Sequence, residues 1–136
     1  MSAQDNKNLV RRLIEEVHMK GNIAILDEVV DSRAVYHDAQ PGFANDRESH
    51  KQQVAMFRAA FPDLQFTIED LIADGDKVAT RWTARGTHEG ELMGIAPTGK
   101  PFRVSGITID RINDGKVVEE WEQFEALSLL QQLGAA

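Results

Sequence analysis

The chain has 136 residues, 42% of them hydrophobic and 27% charged, which are the proportions of one globular domain spanning residues 1–136. It contains no cysteine, which excludes a disulfide framework, a thiolate zinc site and a cysteine nucleophile. Its formal net charge is −7, and such a negative field disfavours nucleic acid and anionic membranes as partners. The amino terminus lacks the apolar core of a signal peptide, so we expect a cytoplasmic protein.

The first third of the sequence is typical of helices. Apolar residues from Leu9 to Val17 recur at spacings of three and four, which predicts an amphipathic helix that stops at Gly21. A second, short helix is expected to open at Asn22 and to continue to Val30.

A loop and a third helix follow. Residues 34–45 contain Pro41 and Gly42, so we expect a short extended piece and a loop. Asp46 is a suitable amino-terminal cap for a helix that ends before Pro62.

From residue 63 the hydrophobic period changes to two, which predicts strands. Tight turns are expected at residues 74–76 and 113–115, and residues 88–101 form a long loop rich in Gly and Pro. Helices followed by an antiparallel meander predict an α+β fold, with helices packed on one face of a curved antiparallel sheet. The expected strands are 64–73, 77–87, 102–112 and 116–124, with a final helix over 126–133.

Standard catalytic motifs are absent from the chain. There is no glycine-rich phosphate loop, no GxSxG elbow and no HExxH sequence. The histidines His18, His37, His50 and His88 do not pair at the spacing of metal ligands, so we expect neither a metal nor another cofactor. Acid–base chemistry by carboxylates and imidazoles is what remains.

The fourth strand carries most of the candidate acids. We interpret Glu119, Glu120 and Glu122 as a solvated strand face. For Glu125 a second interpretation stays open, because a carboxylate beside a tryptophan inside a concave sheet would lose hydration and become a proton-transfer group near neutral pH. Simple alternation puts Trp121, Gln123 and Glu125 on one face and Glu120, Glu122 and Phe124 on the other.

Several other residues are candidates for the wall of a ligand pocket. The same alternation predicts that Trp82 and Trp121 face one side of the sheet, where they could be pocket walls or plain core. Met93 and Phe102 could close the mouth of a pocket or cap the core. His88, at a strand end, could reach the pocket or bond to the loop backbone.

The segment around residue 37 allows two arrangements. Because adjacent strand residues point in opposite directions, either Tyr36 and Asp38 or His37 alone would line a cavity. His18 and His50 are expected on helix surfaces and receive no role.

Taken together, these residues resemble the SnoaL-like polyketide cyclases, members of the NTF2-like superfamily. The resemblance runs from about residue 61 to residue 134. It rests on the strings Phe61-Pro62-Asp63-Leu64, Asp74-Gly75-Asp76-Lys77-Val78-Ala79, Arg81-Trp82, Gly86-Thr87-His88, Gly94, Pro97-Thr98-Gly99-Lys100, Asp114-Gly115-Lys116-Val117-Val118-Glu119, Trp121 and Leu130-Gln131-Gln132-Leu133-Gly134.

The resemblance implies a cone of antiparallel sheet around an apolar cavity, shielded by helices, and a homodimer through the open sheet face. It also implies an intramolecular aldol ring closure that needs no metal or organic cofactor, with a carboxylate as the base. The family's catalytic Asp, four residues after the last-strand tryptophan, corresponds to Glu125.

Three functions stay open at this point. The first is a cyclase or isomerase for an apolar or aromatic carbonyl-bearing ligand, with Glu125 as base and His88 as polar partner. The second is an epoxide-hydrolase-like enzyme, which needs two carboxylates with an arginine between them. The third is a non-catalytic small-molecule-binding dimer, which a solvent-exposed Glu125 would favour. The expected ligand-binding residues are Trp82, Trp121, Tyr36, His37, Gln123, Phe61 and Met93.

Overall fold

The computed structural model describes residues 2–136, and its first third is helical, as the apolar spacing predicts. The first helix begins with a capping box, in which Ser2 and Asp5 each accept a hydrogen bond from the other's backbone N–H at 3.1 Å. It continues into a π-helical segment, Ile14–Met19. Asp46 caps the third helix by accepting from the N–H of Ser49 at 2.8 Å. The helices are α1 (Ala3–Leu13), α2 (Ile25–Val29), α3 (Arg47–Ala60) and α4 (Ala126–Gln132).

Five strands form one curved sheet. They are β1 (Val30–Tyr36), β2 (Gln65–Asp74), β3 (Lys77–Thr87), β4 (Pro101–Asn113) and β5 (Lys116–Phe124). Their order is β1-β5-β4-β3-β2; β1 is parallel to β5 and the other neighbours are antiparallel. The α+β class is confirmed, but the prediction of a wholly antiparallel sheet is wrong. The sheet is mixed because α3 and three strands intervene between β1 and β5, which lets the two run in the same direction.

The face of the sheet that packs against the helices, here called the inner face, carries two apolar clusters. In the first, Val10 and Leu26 from the helices pack with Val78 of β3. In the second, Phe61 packs with Trp82. The cross-strand rows between the two clusters carry polar side chains, so the fold leaves a polar layer between two apolar ones.

The opposite face, here called the outer face, holds the second tryptophan. Trp121 pairs with Ile109 there, whereas Trp82 lies on the inner face in one row with Gly106 and Phe124. The prediction that both tryptophans share a face is therefore wrong. A β-bulge at Val118 is the reason, because the one extra residue reverses the phase of every later position in β5.

We predict that Gly106→Ala destabilises the protein, because Gly106 lets the Trp82 ring lie against β4. A Cβ atom at position 106 would overlap that ring and lie 2.8 Å from Cβ of Phe124. Overpacking of this kind costs about 1–3 kcal/mol. Urea unfolding should show the lower free energy of unfolding, and the tryptophan fluorescence of the folded protein should change. The control is Ser105→Ala on the outer face, which should stay within about 0.5 kcal/mol of the parent. Equal stability of the two variants would contradict the packing argument.

Candidate active site

An apolar cavity of about 100 Å³ lies between the helices and the inner face of the sheet. Trp82 lines it from β3, and its indole Nε1 donates to Oγ1 of Thr108 at 2.9 Å, which fixes the ring. Phe61 lines it from the end of α3 and Phe66 from β2. The sequence-predicted residues Trp82 and Phe61 thus lie in its wall. The other aromatic wall residues are Phe57, Phe102 and Phe124.

Carboxyl groups form the polar end of this cavity. Glu122 of β5 lines it and pairs with Thr108, while the next row pairs Asp110 with Glu120. Two smaller spaces of about 10 and 20 Å³ are lined in part by the same residues. Both Glu122 and His50 line all three spaces, so they lie where the apolar and polar parts of the site meet.

Burial raises the pKa values of these acids, so they keep their protons at pH values at which exposed acids are ionised. Burial raises the pKa of Asp110, and burial together with the charge of Asp110 raises the pKa of Glu120 more strongly. Because the pKa of Glu120 is raised more than that of Asp110, Glu120 is the member of the pair that keeps its proton more readily. Burial, followed by the charges of Asp110 and Asp38, raises the pKa of Glu122 to about 7. Glu122 can therefore accept and return a proton near neutral pH.

Two imidazoles from the helices face the same cavity. His18 lies in the π-helical segment, where Arg58 Nη1 donates to its carbonyl oxygen at 2.8 Å, and its ring stacks on Phe66 at 5.1 Å. His50 of α3 stacks on Tyr36 with ring centroids 4.0 Å apart. Burial lowers the pKa of His18 to about 4 and that of His50 to about 3, so both are neutral at pH 7. Their expected place on helix surfaces is wrong.

Tyr36 and Asp38 line the smaller space of about 10 Å³ at the polar end, the first of the two arrangements predicted around residue 37. The Asp38 carboxylate accepts from the backbone N–H of Glu122 at 2.7 Å and from Nε2 of Gln123 at 3.0 Å. Burial raises the pKa of Tyr36, which stays a neutral phenol. Asp38 thus ties the loop after β1 to the strand that carries Glu122.

Glu125 lies outside the cavity. It is exposed, it precedes the first residue of α4, and its N–H donates to the carbonyl of Ser105 at 3.2 Å. The structure therefore does not bring Glu125 to the ligand space, and its predicted role as a base has no support in the geometry.

His88 and Met93 belong to the long loop rather than to the cavity wall. His88 is fully buried, with Nδ1 3.0 Å from Oγ1 of Thr98 and its N–H donating to the carbonyl of Lys100 at 3.0 Å. Met93 is exposed in a tight turn, with φ of 45°. Of the two interpretations of His88, the geometry supports the one that bonds it to the loop.

Three further predicted ligand-binding residues lie on the outer face or at its edge. Trp121 stacks on His37 with centroids 5.0 Å apart. His37 Nε2 is 2.6 Å from Oε2 of Glu119, whose other oxygen accepts from Arg111 Nε at 2.8 Å. Gln123 is exposed beside them. The sheet separates this cluster from the cavity.

Sequence reasoning missed the acids that do reach the cavity. Glu120 and Glu122 were expected on a solvated face, and Asp110 had no expected role. Counting back from the turn at residues 113–115 without a bulge pairs Asp110 with Glu119, which turns Glu120 outward. The bulge at Val118 changes that pairing, and nothing in the local sequence marks it.

The sequence profile of SnoaL-like polyketide cyclases matches residues 8–133. The chain belongs to the SnoaL-like polyketide cyclase family. Comparison with functionally curated proteins gave no match.

Several solved structures share the fold along nearly the whole chain. IdmH of Streptomyces antibioticus, a proposed polyketide cyclase, is 36% identical, with a TM-score of 0.80 over 95% of this chain and 98% of its own. TsrD of Streptomyces laurentii is 26% identical, with a TM-score of 0.88 over 100% of this chain and 99% of its own. AclR of Streptomyces galilaeus, a proposed hydroxylase, is 28% identical, with a TM-score of 0.85 and 99% of both chains covered. These neighbours confirm the NTF2-like fold.

Two features are absent from residues 2–136. No helix in this range is both long enough and apolar enough to cross a bilayer. No group of three or more His, Asp or Glu side chains in the same range is arranged to hold a metal ion.

We predict that Glu122→Gln stabilises the fold at alkaline pH. The folded pKa of Glu122 lies above its ordinary value of 4.5, so the folded protein binds the extra proton and loses stability as pH rises from 4.5 towards 7. The amide has no proton to lose. Urea unfolding at about pH 8 should show a gain of about 1–3 kcal/mol, and at about pH 4.5 little gain.

Glu125→Gln is the matched control, since it makes the same change on an exposed carboxyl of the same segment. It should leave the pH dependence of unfolding unchanged. A Glu122→Gln variant with the pH dependence of the parent would contradict the burial of this acid.

Proposed function

We propose that the protein is a cofactor-independent acid–base catalyst that closes a ring by an intramolecular aldol reaction, or isomerises, an apolar carbonyl-bearing ligand. The observation that carries the proposal is the position of Glu122, a carboxyl with a pKa near 7 where an apolar aromatic cavity meets a buried acid pair. A general base works best when its pKa lies near the working pH. Family membership supports the same reaction class.

The proton balance of this reaction needs only Glu122 and the ligand. Its carboxylate takes a proton from the carbon next to a carbonyl, and the electron pair moves to the carbonyl oxygen. In ring closure the resulting enolate carbon attacks a second carbonyl carbon of the same ligand, and the new alkoxide takes the proton back from Glu122. Burial, followed by the like charges of Asp110 and Asp38, keeps the pKa of Glu122 high.

The shape of the cavity limits the ligand. Its volume of about 100 Å³ is below the ~300–1,000 Å³ usual for drug-sized ligands, so we propose that it encloses a flat ring or one part of a larger ligand. Phe66 and Trp82, stacked with centroids 4.8 Å apart, offer aromatic surface to such a ring. Four acids, Asp38, Asp110, Glu120 and Glu122, make an anionic head group unfavourable at the polar end.

We predict that Glu122→Gln removes proton transfer and leaves ligand binding intact. The probe is 2-tetralone, a flat ketone with acidic carbon-bound hydrogens, whose deuterium uptake from D₂O is followed by NMR. The rate should fall about 10²–10⁴-fold, because a positioned base contributes that much. The dissociation constant should change by less than about threefold, since the amide keeps the size and polarity of the acid. Glu125→Gln is again the control and should exchange at the parent rate. Unchanged exchange in Glu122→Gln would overturn the proposed base.

A non-catalytic ligand-binding protein is the second candidate, and the exposure of Glu125 favours it. The two functions differ in this same experiment. A binding protein would bind 2-tetralone without accelerating its exchange in either the parent or the variants.

The geometry gives less support to an epoxide-hydrolase-like site. Arg81 and Arg111 lie on the outer face, bound to Asp70 at 2.7 Å and Glu119 at 2.8 Å. Arg58 is bound to the carbonyl of His18. Within residues 2–136, no arginine has an ion pair with Asp110, Glu120 or Glu122, the arrangement which that mechanism needs.

We also propose a homodimer through the outer face. One cross-strand row there is apolar and includes Ile72, which is 63% exposed, and Ile109, which is 36% exposed. The flanking row is charged, and its Arg111–Glu119 ion pair at 2.8 Å lies within the sheet, so this row forms a polar rim beside the apolar row. The apolar row is Ile72, Ala79, Ile109 and Trp121, and the charged row is Asp74, Lys77, Arg111 and Glu119.

We predict that Ile109→Lys converts the dimer to a monomer, because it places a charge in the centre of the apolar row. Sedimentation velocity measures the change. Leu127→Lys on α4 alters a 63% exposed apolar side chain away from the sheet and should leave the dimer intact. A parent chain that sediments as a monomer would contradict the proposed association.

A further inference from the structure

His50 is a buried imidazole with no partner in the protein. Its residue is 9% exposed, and among residues 2–136 no group makes a hydrogen bond to its ring. Its ring nitrogens are nevertheless not sealed inside the protein, so a molecule in the adjoining cavity can reach them. The ring faces the ligand space, since His50 lines the cavity and both of the smaller spaces beside it.

The surroundings of His50 hold the ring in place without using its nitrogens. Tyr36 stacks on it at an interplanar angle of 10°, and His18 contacts it edge-on at 6.4 Å between centroids. Beyond His18, the ring of Phe66 continues the row of aromatic contacts towards Trp82. Stacking fixes the plane of the imidazole, while the N–H and the lone pair at its edge stay free for a ligand.

The same surroundings keep His50 uncharged. Burial lowers its pKa to about 3, and the charge on a protonated His18 would lower it further. A neutral imidazole gives one N–H donor and does not form an ion pair with the nearby acids. Preorganised neutral donors of this kind stabilise an oxyanion without reorganising during the reaction.

We infer that His50 is a second catalytic residue, which donates a hydrogen bond from its ring N–H to the ligand's carbonyl oxygen while Glu122 takes the proton from the neighbouring carbon. This inference rests on the proposed acid–base function. It adds a hydrogen-bond donor for the negative charge that develops on the carbonyl oxygen. An ionised carboxylate has no hydrogen and cannot provide such a donor.

The step is balanced. The C–H bond breaks and its proton forms an O–H bond with Glu122, while the C–H electron pair becomes the C=C bond of the enolate. The electrons of the carbonyl π bond move to oxygen, where the His50 N–H stabilises the negative charge. The imidazole keeps its proton throughout, so no further acid, base or oxidant is required.

His50 fits this role better than two other imidazoles that have an unpaired ring nitrogen. His88 Nε2 is buried without a partner among residues 2–136, but the residue lines none of the three spaces of the site. His18 does not line the space that contains Tyr36 and Asp38, and it lies beside the positive charge of Arg58. Gln53 also lines the cavity, but its Oε1 accepts from the backbone of Gln40 at 3.2 Å, which fixes the amide towards the loop.

The test compares His50→Gln, which keeps an N–H donor, with His50→Leu, which keeps bulk and removes the donor. With 2-tetralone, His50→Leu should lower the exchange rate at saturation about 10²–10³-fold, with a dissociation constant within about threefold of the parent. His50→Gln should keep most of the rate. A merely structural role for the ring would give equal losses in both variants, and that result would overturn the inference.

A binding measurement gives an independent readout. The probe is 2-naphthol, whose absorption spectrum distinguishes the phenol from the phenolate, a stable mimic of a flat enolate. At the same pH, His50→Leu should bind the phenolate at least tenfold more weakly than the parent, while Glu122→Gln retains the phenolate affinity. Equal phenolate affinity in the parent and in His50→Leu would refute the donor role.

These outcomes separate the inference from the function on which it rests. If Glu122→Gln abolishes exchange and His50→Leu does not, the acid–base function stands and the role of His50 falls. If the parent accelerates no exchange, the proposed function falls first. If His50→Leu does not fold, the comparison of His50→Gln with the parent decides, because more than a tenfold loss of rate in that donor-retaining variant overturns the inference.

Discussion

The pairing of β4 with β5 is the constraint on which the site depends. The bulge at Val118 adds one residue to β5, so that Glu120 and Glu122 point inward opposite Asp110 and Thr108. Without that residue the same strand would present Trp121 to the cavity and both acids to solvent. The helices, the cavity and the aromatic walls would remain, but the cavity would have no acidic end. A single backbone irregularity thus decides whether buried carboxyl groups reach the cavity.

Burying these acids lowers the stability of the folded protein. The two apolar clusters that flank them raise it. One apolar cluster contains Val78 and aliphatic side chains of α1 and α2, and the other contains Phe61 and Trp82. The burial that stabilises both clusters also removes water from Glu122 and raises its pKa. Stability and reactivity therefore have one physical source, which is the exclusion of water from the inner face.

Much of the fold was predictable because its signals are local. The cap at Asp46, the turn at residues 113–115 and the change from helical to strand period predicted the order of elements and the bounds of β2 to β5 to within one residue. The strand β1 was placed less well, since it begins at Val30 and the extended piece was expected within residues 34–45. The parallel pairing of β1 with β5 was not predictable in this way, since it joins segments more than eighty residues apart. The prediction of the site was less accurate than that of the fold. Side chains of a strand alternate between its two faces, so one missed bulge assigns every later residue of that strand to the wrong face. Trp82 was placed correctly from β3, whereas Glu122 and Trp121 exchanged faces.

The two tryptophans lie on opposite faces of the sheet and make different contacts. Trp82 is 5% exposed, holds its indole N–H on Thr108 and forms a wall of the ligand space. Trp121 lies on the outer face between the His37 ring and the ammonium group of Lys77, 5.7 Å from its ring centre. A sheet only one layer thick separates them, so the strand that carries the proposed base also carries the proposed contact between subunits. Association through the outer face would hold β5 rigid, and the position of Glu122 in the cavity depends on that rigidity.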